Sequence, residues 1–185
     1  MASIVVAGDT SGTVTLAAPS VAGTTTLTLP TANGTVITTG SSGQSIPKAA
    51  LPTGSVLQVQ QSTSTTSFST SSSTLVDSGI SGSFTPLYSS SKVLITVIST
   101  VNPSSQGAGF ALYRGTTQIF SPMPNDGSGF YGVYQNIIAQ TPLTYLDSPA
   151  TTSSTTYRLY FASRSGTTSY IGGAITQFVF MEIAA

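Results

Sequence analysis

Cysteine, histidine and tryptophan are all absent from this chain of 185 residues. Without cysteine no disulfide can staple the fold, and without cysteine and histidine no zinc site of the usual kind can form. The commonest general base and the most reactive nucleophile are missing too. Charge is nearly as scarce: Asp, Glu, Lys and Arg make up 5% of the residues, against about a quarter in ordinary domains. The formal net charge is zero, so no basic stripe exists to pair with phosphates and nucleic-acid binding is not expected. No apolar run approaches the roughly 20 residues that span a bilayer as a helix. The opening MASIVVAGDTSG has neither a positive region nor a long apolar core, so a secretory signal peptide is not expected.

Hydroxyl residues fill the space that charge leaves. Ser and Thr supply roughly a third of the chain, alongside eight Phe, eight Tyr and many Val and Ile. Disordered chains are poor in aromatic and β-branched residues. These are strand formers, and the composition predicts a folded, all-β protein.

Three regions follow one another. Residues 1–40 alternate apolar and hydroxyl side chains, with Val14 and Leu16 between threonines, then Leu27 and Leu29, then Val36. A period of two gives short strands with one apolar face. Asn33-Gly34 is a hairpin signal, because both residues tolerate positive φ. Residues 41–54, SSGQSIPKAALPTG, read as a linker. Residues 55–185 hold about eight strand-like segments separated by turn signals, which predict an antiparallel β-sandwich of jelly-roll-like type. Hairpin turns are expected at Arg114-Gly115 and at Ser165-Gly166.

An isolated hairpin is marginal in water, so residues 1–40 need a surface to cover their apolar face. Three copies around a common axis would supply it, and so would another protein or the C-terminal domain itself. The last strand raises the same question. In QFVFMEI, Phe178 and Phe180 point one way and Val179, Met181 and Ile183 the other. The second set meets either a neighbouring subunit or another layer of the same domain.

No catalytic constellation is present. The acids are Asp9, Asp77, Asp126, Asp147 and Glu182; Asp126 and Asp147 sit in turn contexts, where an Asp bonds its own backbone. Arg114 and Arg164 are expected as solvated charges in hairpin turns, and Arg158 alternates outward from Tyr157, Leu159 and Phe161. No cofactor or metal is expected, and no enzymatic activity. Binding is a different matter. The stretch SPMPNDGSGFYGVY, residues 121–134, sets Asn125, Asp126, Phe130, Tyr131 and Tyr134 among glycines. Aromatic faces beside hydrogen-bonding groups suit sugar recognition; the same aromatics would also serve to anchor a long loop to the core.

The stretch GTVTLAAPSVAGTTTLTLPTANGTVITTG resembles the Thr-rich N-terminal element of phage virion fibre and adhesin proteins, those of cyanobacterial and other aquatic phages above all. FTPLYSSSKVLITV, FALYRGTTQI, TYRLYF and the closing MEIAA resemble the terminal knobs of the same proteins, in the same order. The resemblance implies a homotrimeric structural protein of the virion, attached to a tail, baseplate or capsid protein through residues 1–40. Its C-terminal knob would meet a host-surface glycan or protein. Long tail fibres run to many hundreds of residues, so a stubby fibre or tail appendage is the first expectation. A capsid-decorating protein of the same architecture is the alternative, and a polysaccharide-degrading tailspike is a remote one.

Overall fold

The computed structural model describes residues 3–7, 10–17, 21, 23, 51–103, 107–121, 137–164 and 166–185. The chain divides into two units, Met1–Gln44 and Ser45–Ala185. In the first, β1 (Ser3–Ala7) pairs antiparallel with β2 (Thr13–Ala17). The register sets Val6 opposite Val14 and Ile4 opposite Leu16. Partners in register share a face, yet β1 also carries Val5 on the other side, and Ile4, Val5 and Val6 are all exposed. The hairpin thus shows apolar side chains on both faces, where the alternation had suggested one. Leu27, Leu29, Val36 and the Asn33-Gly34 turn lie outside the described residues.

The second unit is all-β and antiparallel, with no helix among its described residues. Its strands are β3 (Val56–Ser64), β4 (Ser67–Thr70), β5 (Val76–Phe84), β6 (Lys92–Asn102), β7 (Ala108–Arg114), β8 (Thr117–Phe120), β9 (Ala139–Asp147), β10 (Thr155–Ser163), β11 (Ser169–Gly172) and β12 (Thr176–Ile183). One sheet has four strands in the order β5-β10-β7-β8. The other has six, in the order β3-β12-β6-β11-β4 with β9 also paired to β6. Six of the nine successive strand pairs from β3 to β12 lie in different sheets, so the chain shuttles across the sandwich rather than finishing one sheet first.

Alternation explains how the layers close. In β6 every second residue is buried, with Val93, Ile95, Val97 and Val101 at 0% exposure. Phe178 and Phe180 of β12 stand beside them. From the other sheet Ile80, Phe84, Leu112, Tyr157, Leu159 and Phe161 meet these side chains in one core. Phe180 stacks on Phe84 at a ring separation of 5.3 Å and tilts against Tyr157 at 5.4 Å. Each such side chain stabilises the fold by roughly 1.5–3 kcal/mol relative to exposure. A β-carbon at Gly82 of β5 would approach the Phe178 ring to 2.9 Å, so the close contact between layers depends on glycine at that position.

Three expectations need correction. Residues 155–172 do not form a hairpin, because β10 belongs to the smaller sheet and β11 to the larger. Here the chain changes layer, and Ser163 hydroxyl–hydroxyl and hydroxyl–carbonyl bonds to Ser169 and Thr167 hold the crossing. Asp147 is not a turn residue serving its own backbone; it ends β9 and is 4% exposed. Arg114 is likewise no free turn charge, since it ends β7 and its guanidinium turns inward to Asp147. Short-range turn signals missed these two because their partners come from strands distant in sequence. The outward reading of Arg158 stands, with a half-exposed side chain.

Candidate functional site

The outer face of the four-stranded sheet carries a polar cleft of about 610 Å³. Its geometry follows from β10. The strand buries Tyr157, Leu159 and Phe161, so period two turns Thr156, Arg158 and Tyr160 outward. These three line the cleft, together with Asp77 of β5, the β7–β8 turn at residues 114–116, and residues 154–155.

Asp77 faces the same way by the plain alternation of β5, whose inward positions are Ser78, Ile80 and Phe84. The β5–β10 register shifts between Arg158 and Tyr160, beside Gly79 with φ +72°. Asp77 Oδ1 accepts the Gly79 N–H at 2.9 Å. Its Oδ2 accepts from Arg158 Nη1 at 3.1 Å. Both side chains of this ion pair remain more than a third exposed, so the pair is open to solvent and to ligand. The shift sets Asp77 opposite Tyr160 and so draws it along β10 toward Arg158.

An aromatic pair flanks the cleft. Tyr160 stacks against Tyr113 of β7 with ring centroids 3.7 Å apart and planes 16° apart. Tyr113 in turn donates to Gln118 Oε1 at 2.9 Å. Desolvation, and next the neighbouring Tyr160, raise the Tyr113 pKa above its usual value, so its phenol stays protonated and donating.

Behind the cleft, Arg114 Nη1 donates to both carboxylate oxygens of Asp147, at 2.8 and 3.0 Å, and to the Ser148 carbonyl at 3.2 Å. Tyr157 donates to Asp147 Oδ2 at 2.9 Å. Burial first, then the bond to Asp147 and the charge of that carboxylate, push the Tyr157 phenol far above its usual pKa. This cluster is neutral and internally matched. The two arginines near the cleft are therefore each opposed by one carboxylate.

The cleft can hydrogen-bond and stack; its residues offer no nucleophile beside a base. Among the described residues no group of three His, Cys, Asp or Glu side chains is placed to hold a metal. The residues expected to bind from sequence, Asn125, Asp126, Phe130, Tyr131 and Tyr134, lie outside the described residues. Val14 and Leu16 fall on β2. Val179, Met181 and Ile183 lie on β12, half-buried on the outer face of the larger sheet. These three β12 residues do not line the cleft. Tyr160 and Asp77 were missed, and the outward phase of TYRLYF was the one sequence signal that bore on them.

No family model matches the sequence, and no curated protein matches it significantly. Two solved structures with partial likeness are both of infectious bursal disease virus. The VP2 subviral particle matches at 14% identity and TM-score 0.38, over 69% of this chain and 38% of that one. The Gx strain structure matches at 15% identity and TM-score 0.33, over 78% and 42%. The present chain thus spans about two fifths of the length of each. Likeness at this level identifies neither a shared topology nor a shared function.

Proposed function

We propose that the chain is a structural protein of a phage virion. It forms a short trimeric fibre or tail or baseplate appendage, anchored by residues 1–40 and presenting the β-sandwich as a knob for host-surface attachment. The particle is supplied by the resemblance of the Thr-rich N-terminal stretch. The observation that carries the assembly is an apolar row on the outer face of the six-stranded sheet. Val59, Met181, Leu94 and Leu146 stand in register across β3, β12, β6 and β9. Val59 is 59% exposed and Leu146 45%. Beyond a register shift, Val56 and Ile183 pair two positions further along β12.

Contiguous exposed apolar surface of this kind marks interaction sites. Self-association fits it, because Lys92 is the only charged residue among the outward positions that β6 and β12 place there, and copies would meet almost no like-charge repulsion. Ile4, Val5 and Val6 give the N-terminal hairpin the same need for cover. Attachment then works by multivalency, since several weak knobs held on one particle reach high avidity through effective concentration. Catalysis forms no part of this reading.

Light scattering of the purified protein tests it. The expected mass is three times the 18.8 kDa of one chain, and a Leu94→Glu/Met181→Glu variant is expected to dissociate. A clean monomer for the unaltered chain overturns the trimer. Particles that still incorporate protein lacking residues 1–40 overturn the anchor. Immunogold labelling of virions then separates tail from capsid, and failure to label either removes the virion reading altogether.

A further inference from the structure

We propose that the cleft over β10 binds a neutral saccharide, with the Arg158–Asp77 pair recognising a vicinal diol and Tyr160 packing against the sugar ring. This gives the attachment reading its binding site and ligand class, and rests on that reading only for the source of the glycan.

Three observations define the ligand. The first is charge. Arg158 is paired with Asp77 and Arg114 with Asp147, so two cations meet two carboxylates. An anion such as a phosphate or a sialic acid would find no uncompensated positive charge. A cation would find each carboxylate already opposed.

The second is the alternation of donor and acceptor. A guanidinium offers only N–H donors and a carboxylate only acceptors. Held 3.1 Å apart and both reachable from solvent, they match two adjacent hydroxyls, one accepting from Arg158 and one donating to Asp77. Hydrogen bonds to charged groups are stronger than those between neutral groups. Around this pair the cleft is lined by the hydroxyl-bearing residues Thr116, Ser154 and Thr155. Such a lining suits a ligand that is itself covered in hydroxyls.

The third is rigidity. Stacking against Tyr113 holds the Tyr160 ring, and the Gly79 N–H holds Asp77. Preorganised groups lose little freedom when a ligand arrives. The cleft volume of about 610 Å³ lies within the range of small-molecule sites, roughly 300–1,000 Å³.

Saturation-transfer NMR on the full chain tests the proposal. The probes are neutral disaccharides and trisaccharides of glucose, galactose and mannose, with sialyllactose and inorganic phosphate as charged comparators. At least one neutral probe is expected to bind at millimolar concentration, and the comparators are not. Arg158→Gln and Asp77→Ser are each expected to weaken that binding at least about tenfold. Their melting temperatures are expected to stay near that of the unaltered protein, because exposed ion pairs contribute little stability. Thr65→Ala, exposed in the connection between β3 and β4, is expected to bind as the unaltered chain does. Binding by no neutral probe, binding of the charged comparators alone, or unchanged binding in Arg158→Gln overturns the site. If free protein still blocks phage adsorption while Arg158→Gln blocks it equally well, attachment stands and the cleft is not its site.

Discussion

Tyr157 and Asp147 meet across the seam between the two sheets, the phenol of β10 donating to the carboxylate of β9 at 2.9 Å. Arg114 of β7 closes the group from the same sheet as Tyr157. One buried carboxylate therefore ties two strands of the smaller sheet to the larger one. Tyr157→Phe removes one bond but leaves Asp147 with its charged partner, and is expected to cost about 1–2 kcal/mol. Asp147→Ala strands a part-buried guanidinium and a buried phenol together, and is expected to cost about 3 kcal/mol. Chemical denaturation of both variants checks the order. Equal losses would mean that the Arg114–Asp147 pair contributes nothing beyond the phenol bond.

Glu182 is a second inward carboxylate, fully buried on the core face of β12. Its oxygens accept the Leu87 and Tyr88 amides at 2.9–3.1 Å and the Gln58 side-chain amide at 2.6 Å. Burial alone would raise its pKa, but these bonds outweigh it and hold the carboxyl below its ordinary value of 4.5. A carboxyl lowered on folding stabilises the fold above its unfolded pKa, and that contribution fades as pH falls through the lower folded value. Glu182→Gln is thus expected to melt below the unaltered protein at neutral pH, with the gap narrowing as the pH drops under about 4.5. Melting curves across that range check it; a gap independent of pH would show that the carboxylate form is not the one favoured.

How far the sequence told this in advance depends on the range of the interaction. KVLITVIST and TYRLYF show their strands and their inward faces by local alternation, and Phe178 and Phe180 separate from Val179 and Met181 in the same way. Local pattern does not show layer. Residues 155–172 read as one hairpin because a Gly-containing turn follows a strand, while the two strands in fact join different sheets. The cleft was hidden for a related reason. Asp77 and Arg158 lie 81 positions apart, and a register shift beside Gly79 that no local pattern announces sets the carboxylate opposite Tyr160, within reach of its partner. Two scattered charges in a chain with few of them carry no motif.

Glycines offer a last check on the crossing between layers. Gly172 ends β11 with φ +79°, and a β-carbon there would meet the Thr66 carbonyl oxygen at 2.1 Å. Neither backbone can yield without breaking the β4–β11 ladder, in which Gly172 pairs with Ser67. Gly166 also has positive φ, +69°, but open space surrounds its missing side chain. Gly166→Ala is therefore expected to cost only the left-handed penalty, about 1–2 kcal/mol. Gly172→Ala adds a backbone collision to the same penalty and is expected to cost clearly more. Hydrogen exchange should show the extra loss concentrated at the amides of β4 and β11. Equal destabilisation by the two substitutions would mean that the close approach of Thr66 to Gly172 is not a feature of the folded protein.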